Sequence, residues 1–199
     1  MPHPLNRLFS TELSPRGIIL SKFVDPVNKH HSAPGCFRHW RKPMAIDRVK
    51  AYFAEHGMAD RVQEFDTSSA TVELAAAAVG CEPARIAKTL SFHVGDRVAL
   101  IVAAGDARID NPKFKAQFHC KAKMLKAEEP EPLIGHAVGG VCPFAVNDGC
   151  DIYLDATLRR FATVFPACGS SNSAIELTLA ELEGLCAPCM WVDVCKLPA

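Results

Sequence analysis

The feature that most constrains this chain is an apolar stretch over residues 87–104, broken once at Gly95-Asp96. Its second half, residues 98–104, carries no charge. A short uncharged run bounded by turn residues is the pattern of a strand buried on both faces. The stretch therefore predicts a β-hairpin at the heart of a sheet. Alternation puts Leu90, Phe92 and Val94 on one face of the first strand and Thr89, Ser91 and His93 on the other. Lys88 falls in the apolar phase. A lysine there either runs its stem out to water at the strand end or holds its ammonium in a cleft where something negative binds.

The flanking sequence mixes helical and strand periods. Ile46, Val49, Tyr52 and Phe53 recur at helical spacing and Gly57 is placed to end that helix. Residues 62–65 read as a short strand. An alanine-rich helix over 71–79, capped by Ser68 or Ser69 and stopped by Gly80, comes next. Pro83 opens a short helical turn, and Asp110 or Asn111 caps a helix with Pro112 at its start. Strands are expected at 151–154, 163–165, 174–177 and 191–195. Thr178 and Glu181 form a capping box ahead of a short helix ending near Gly184. Such a mixture predicts an α/β (α+β mixed) fold.

At 199 residues the chain suits one main domain, which at this size buries about 70% of its unfolded surface. Its longest apolar run is far short of the ~20 residues of a membrane helix. The balance of 22 basic and 22 acidic side chains is uneven along the chain. Residues 1–43 hold seven Lys/Arg against two acids, so residues 44–199 are net acidic by five charges. That argues against an extended nucleic-acid groove, whose affinity comes mainly from neutralised phosphates, and leaves room for a local basic site. We expect no DNA and no membrane as partners. The six prolines of residues 1–43 and their lack of periodicity predict a disordered or loosely attached extension, with the folded unit at 44–199. His30, His31, Cys36 and His39 have no second ligand pair at zinc-finger spacing, so no metal is expected. An odd count of nine cysteines without a secretory signal fits a reducing cytoplasm and small buried hydrophobes. Cys186 and Cys189 have redox-motif spacing but lie between a helix and a strand rather than at a helix start.

Two further stretches can carry chemistry. Residues 133–144 read LIGHAVGGVCPF. Gly135, Gly139 and Gly140 permit close backbone approach and Pro143 fixes the exit, so successive N–H groups can be aimed at an anion or a polarised carbonyl. The loop is neither a Walker nor a Rossmann loop, and no cofactor is implied. His136 is open to a substrate-orienting role or an ordinary hydrogen-bonded one. Lys113, Lys115, Lys121, Lys123 and Lys126 form the one basic cluster of the acidic body, a solvated face or a phosphate-contacting patch.

Three separated pieces, IAKTLSF with Lys88, GHAVGGVCPF, and ACGSSNSAIEL ending at Leu177, coincide in order and spacing. Together they resemble the YbaK family, the prolyl-tRNA synthetase-associated editing domains, from about residue 44 to the C-terminus. The resemblance implies a single compact domain around a mixed, barrel-like sheet with surrounding helices. It also implies hydrolysis of the ester joining a wrong amino acid to tRNA, tRNA-Pro or a related one. The family lysine falls on Lys88, and the Gly-x-x-x-Pro loop on Gly139 and Pro143. The hydroxyl-rich turn Gly169, Ser170, Ser171, Asn172 and Ser173 falls where the family closes its pocket. Lys88 would then hold the terminal phosphate or ribose, or the developing oxyanion, and the amides of Gly139, Gly140, Val141 and Cys142 would polarise the ester carbonyl. Thr89 and His136 would wall the pocket, and water or a substrate thiol would attack. In cysteine-clearing members the resemblance implies an acid before Ile-Glu-Leu; this chain has Ala174. The acceptor end of a tRNA, and a synthetase, are the implied partners. The rival reading is a non-catalytic module that binds a tRNA end, a nucleotide or a synthetase.

Overall fold

The structure is a computed structural model and describes residues 44–198. The expected extension over 1–43 and its histidines and Cys36 lie outside those residues. The elements in chain order are α1 (Ala45–Glu55), β1 (Gln63–Glu64), α2 (Val72–Val79), β2 (Ile86–Val94), β3 (Arg97–Ala104), β4 (Arg108–Ile109) and α3 (Asn111–Phe118). There follow α4 (Pro130–Ile134), β5 (Cys150–Asp155), β6 (Thr163–Pro166), β7 (Ser173–Ala174), β8 (Leu177–Thr178), α5 (Leu179–Leu185), β9 (Cys189–Val192) and β10 (Cys195–Lys196).

The predicted hairpin is the centre of the main sheet. A six-stranded, curled sheet runs in the order β8-β6-β2-β3-β5-β9. β2 and β3 pair antiparallel from Ala87↔Ala104 to Val94↔Arg97, and Gly95 makes the turn in the left-handed region, where a side chain would be strained. β3 is also paired in parallel with β5, from Val98 to Val102. Every residue from Val98 to Ala104 is buried, as an uncharged strand covered on both faces requires. The mixed α/β class and half-barrel sheet agree with the sequence reading.

Antiparallel strands close over a tight turn, whereas the parallel pair β3 and β5 needs a long crossover. That crossover, residues 105–149, carries α3, α4 and the glycine loop. α1 lays Ile46, Val49 and Phe53 into the main core, where Phe53 meets Phe144 with ring centroids 4.9 Å apart.

Local differences from the sequence reading have physical causes. The cap of α2 is Thr71, whose hydroxyl accepts the Leu74 N–H, rather than Ser68 or Ser69; Ser69 instead donates to the Ser171 carbonyl. Of the two candidates for α3, Asp110 is the cap, accepting from the Lys113 N–H. The strand expected over 174–177 divides: β7 pairs with β1 and β8 with β6. The last strand also divides, because the Val194 and Cys195 N–H groups turn to the buried Asp155 carboxylate at 2.9 and 3.1 Å instead of to a neighbouring strand. Asp155 is fully buried and further accepts from the Thr157 amide and hydroxyl, so its lone pairs are satisfied.

Candidate functional site: a cavity at an interrupted strand edge

β3 has a partner on each side along most of its length; β2 does not. On its outer side β2 pairs with β6 only at Ile86↔Phe165 and Ala87↔Pro166. Pro166 has no N–H to extend the ladder, and the next residue, Ala167, bridges to Ala174 instead. At the far end Leu125 donates to the Ser91 carbonyl at 3.0 Å and His93 to the Lys123 carbonyl at 2.9 Å. Between these two seals, the edge at Thr89 meets no strand among the described residues.

A cavity of about 540 Å³ fills the gap. Its walls are residues 86–91 of β2, the start of α2 at Thr71 and Val72, residues 124–127, Gly139 and Val141 of the glycine loop, and Phe165, Ala167, Ser173 and Ala174. The charged residues of this lining are Lys88 and Lys126, so it is a positive recess with largely apolar walls.

Lys88 is half-buried, and burial pulls its pKa below the ordinary lysine value. Its ammonium donates to the Gly105 carbonyl at 2.8 Å and to the Ala107 carbonyl. An ammonium has three donors, so two are spent fixing the head against the turn after β3 and one is left for a ligand. Of the two fates open to Lys88 from its phase, the structure shows a head held in the fold beside a cavity.

The glycine loop turns toward this recess by a fixed alternation. α4 ends at Gly135 with φ +92°, and Gly139 has φ +90°. A Cβ on Gly140 would lie 2.8 Å from the backbone of Gly169 and Ser170, so only glycine lets the two loops pack. The Gly140 N–H donates to the Ala137 carbonyl at 3.0 Å, and the Cys142 N–H to His136 Nδ1 at 3.3 Å. Those two amides, expected to polarise a substrate carbonyl, are already engaged. Gly139 and Val141 line the cavity, and their N–H groups have no backbone partner among the described residues.

The remaining expected site residues separate. His136 is fully buried and lines no cavity described here. Burial, then the Arg48 charge, hold its pKa down to about 4. Because Nδ1 accepts from Cys142, the proton of the neutral ring sits on Nε2, which is buried without a partner. Cys142 is buried too, its thiol pushed up to about 12, and Pro143 is buried beside it. Neither His136 nor Cys142 is placed to touch a ligand. Thr89 lines the cavity, while its Oγ1 is buried and has no partner among the described residues.

In the hydroxyl-rich turn, Ser173 faces this cavity; Gly169, Ser170 and Ser171 join Gly140 on a second one of about 400 Å³. Asn172 spends its amide on the Phe65 carbonyl at 2.8 Å, and Ser170 donates within the turn. The loop is thus a partition with Gly139 on one side and Gly140 on the other. Of the basic cluster, Lys126 reaches the cavity wall, Lys113 pairs with Asp193 at 2.7 Å, and Lys115, Lys121 and Lys123 stand exposed and outside the lining.

Sequence reasoning missed the open strand edge and the wall at residues 124–127. Pro166 was the one available signal, since a proline at a strand end marks where pairing stops.

A curled mixed sheet with helices packed around it is the frame of a known class. The chain belongs to the aminoacyl-tRNA editing domain family, matched by residues 66–185. The uncharacterized protein YwhH of Bacillus subtilis (strain 168) is 52% identical over 154 residues, spanning 77% of this chain and 98% of YwhH. Among solved structures, a candidate trans-editing enzyme for prolyl tRNA synthetase superposes with a TM-score of 0.69 at 29% identity, covering 76% of this chain and 97% of that one. Hypothetical protein APE2540 superposes with a TM-score of 0.68 at 26% identity, covering 75% and 99%. The YbaK-type resemblance and the fold class agree with these findings.

Proposed function

We propose that this protein is a trans-editing hydrolase that deacylates tRNA carrying a wrong, small amino acid, with tRNA-Pro or a related tRNA as carrier. The observation that carries the reading is that Lys88, Gly139 and Val141 line one cavity, and that the N–H groups of Gly139 and Val141 have no backbone partner among the described residues. The spare N–H of Lys88 takes a phosphate or ribose oxygen of the acceptor end, or the oxyanion as it forms. The two loop amides polarise the ester carbonyl; one well-aimed donor of this kind is worth about 3 to 4 kcal/mol. Water, or a thiol of the substrate, adds to the carbonyl carbon. The bond from that carbon to the ribose oxygen then breaks, the nucleophile's proton passes to that oxygen to give the free ribose hydroxyl, and the acyl group leaves as the amino acid or, after attack by its own thiol, as a thiolactone.

Ala174 in the wall presents a methyl group where cysteine-clearing members are expected to present an acid, which suits a small side chain without charge. Discrimination by one methylene gives only about 10- to 200-fold, so a second check on charging is worth having. Lys126, with the exposed Lys115, Lys121 and Lys123 beyond it, gives the RNA backbone a landing strip, and a synthetase supplies further selectivity. The enzyme acts in the cytoplasm, where tRNA is charged.

The test is a panel of tRNAs mischarged with alanine, serine, cysteine and others, incubated with the full chain. Release of one small amino acid is expected. A panel left intact overturns the hydrolase and favours the second reading, a binding module for the acceptor end, which draws on the two Lys88 donors already committed to main-chain carbonyls.

A further inference from the structure

The open edge of β2 has a length and a polarity. In an antiparallel pair, alternate residues direct both main-chain groups to the same neighbour. His93 and Ser91 bond outward, to Lys123 and Leu125. Val98 and Ala104, on the alternate positions of β3, bond away from β2, to the Gly149 carbonyl and the Thr157 hydroxyl. The same phase sends the N–H and C=O of Thr89 outward, into the cavity. Ala87 on one side is paired with Pro166 and the Ser91 carbonyl on the other with Leu125. The free edge is therefore Thr89 with the Ser91 N–H beside it, and neither Thr89 group has a backbone partner there among the described residues.

A single strand residue that offers both groups is satisfied by a single partner residue, which returns one donor and one acceptor from the same α-carbon unit. A free aminoacyl group has this pair: an α-amino nitrogen and an acyl carbonyl on adjacent carbons. A longer peptide meets the seals on both sides. Resting on the deacylase reading for the identity of the carrier, we propose that the Thr89 main chain is the amino-acid-reading edge of the site. Its C=O accepts from the α-amino group, and its N–H donates to the acyl carbonyl. This holds the ester beside Gly139 and Val141 without any side-chain contact to the nitrogen. Recognition through a β-edge of this kind is blind to the amino-acid side chain, whose size is left to the walls at Ala174 and Phe165.

The test uses the full chain and acceptor-stem minihelices whose 3′-terminal adenosine carries an amide-linked, non-hydrolysable acyl group. Alanyl, lactyl and propionyl forms present an amine, a hydroxyl and no donor at the same carbon. Alanyl is expected to bind at least about tenfold more tightly than propionyl, the size of one hydrogen bond to a charged or strongly polar group. Lactyl, which keeps a donor without a charge, is expected between them. In the free protein the Thr89 amide exchanges with solvent faster than those of Lys88 and Leu90, and the alanyl minihelix slows it. Equal affinity of alanyl and propionyl, binding of neither, lactyl no better than propionyl, or a Thr89 amide indifferent to ligand each overturns the proposal. Turnover is measured separately on ester-linked tRNA. Lost turnover with the alanyl preference intact counts against the deacylase reading alone, and turnover without that preference counts against the Thr89 edge alone.

Discussion

β2 and β3 are neighbours of similar length in the same sheet, and they do opposite work. β3 is paired on both sides, and every residue from Val98 to Ala104 is buried. It has no main-chain group to offer a ligand and serves as the pillar of the core. β2 is paired fully on one side only; between its two seals it presents Lys88 and the Thr89 edge to a cavity. Regularity carries stability, and the interruption leaves the cavity on which the proposed chemistry rests. A polar main-chain group without a partner is costly when buried, so an open edge persists where water or a ligand can reach it.

The comparison is broken or sharpened by four measurements. The largest effect is expected in the pillar: Leu100→Ala, at a fully buried position, should lower the unfolding free energy by about 2 to 5 kcal/mol. Denaturant titration checks this, and a loss under about 1 kcal/mol would mean that β3 is not the pillar.

Next comes a buried ring of the glycine loop. His136 is buried and its folded pKa is about 4, below the ordinary value near 6.5. The unfolded chain therefore binds this proton first as pH falls. Stability from the neutral ring is present above about 6.5, declines through the window, and is lost by about 4. The loss amounts to about 3 kcal/mol. Unfolding curves of the parent and of His136→Gln across that range should differ by this pH-dependent component; parallel curves would remove it.

On the β2 side, Lys88→Ala should reduce deacylation on the order of 100-fold, as loss of one donor to a developing charge does, with the far-ultraviolet circular dichroism unchanged. Retained activity would assign the lysine to holding the Gly105 and Ala107 carbonyls alone. The smallest effect is expected from Thr89→Val. It removes a buried hydroxyl that has no partner while keeping shape and strand preference, so stability should hold within about 1 kcal/mol or rise. A larger loss would show that the hydroxyl has a partner after all.

Much of the frame was legible in the sequence because its signals are local. The uncharged run after Gly95 marks a doubly covered strand, the phase of Lys88 marks a side chain out of place, and Thr178 with Glu181 marks a helix start, where the capping box indeed forms. The glycine loop was legible as a loop, but not its alternation. That Gly139 and Val141 face the cavity while the amides of Gly140 and Cys142 are engaged depends on Ala137 and His136, whose positions follow from how the crossover packs. The same holds for His136, a candidate ligand contact by residue type and a buried, neutral ring by position.

By itself, then, the sequence determined most of the segments that become strands and helices and the pair that forms the centre of the sheet, since these follow from periodicity and turn chemistry, and it singled out one lysine and one loop for the proposed site. Tertiary structure alone decided which groups remain free to act. A donor or acceptor is available only if nothing else in the folded chain has reached it first, and that is settled by contacts between residues far apart in sequence, such as Pro166 ending the ladder beside β2 and Leu125 closing it at the other end.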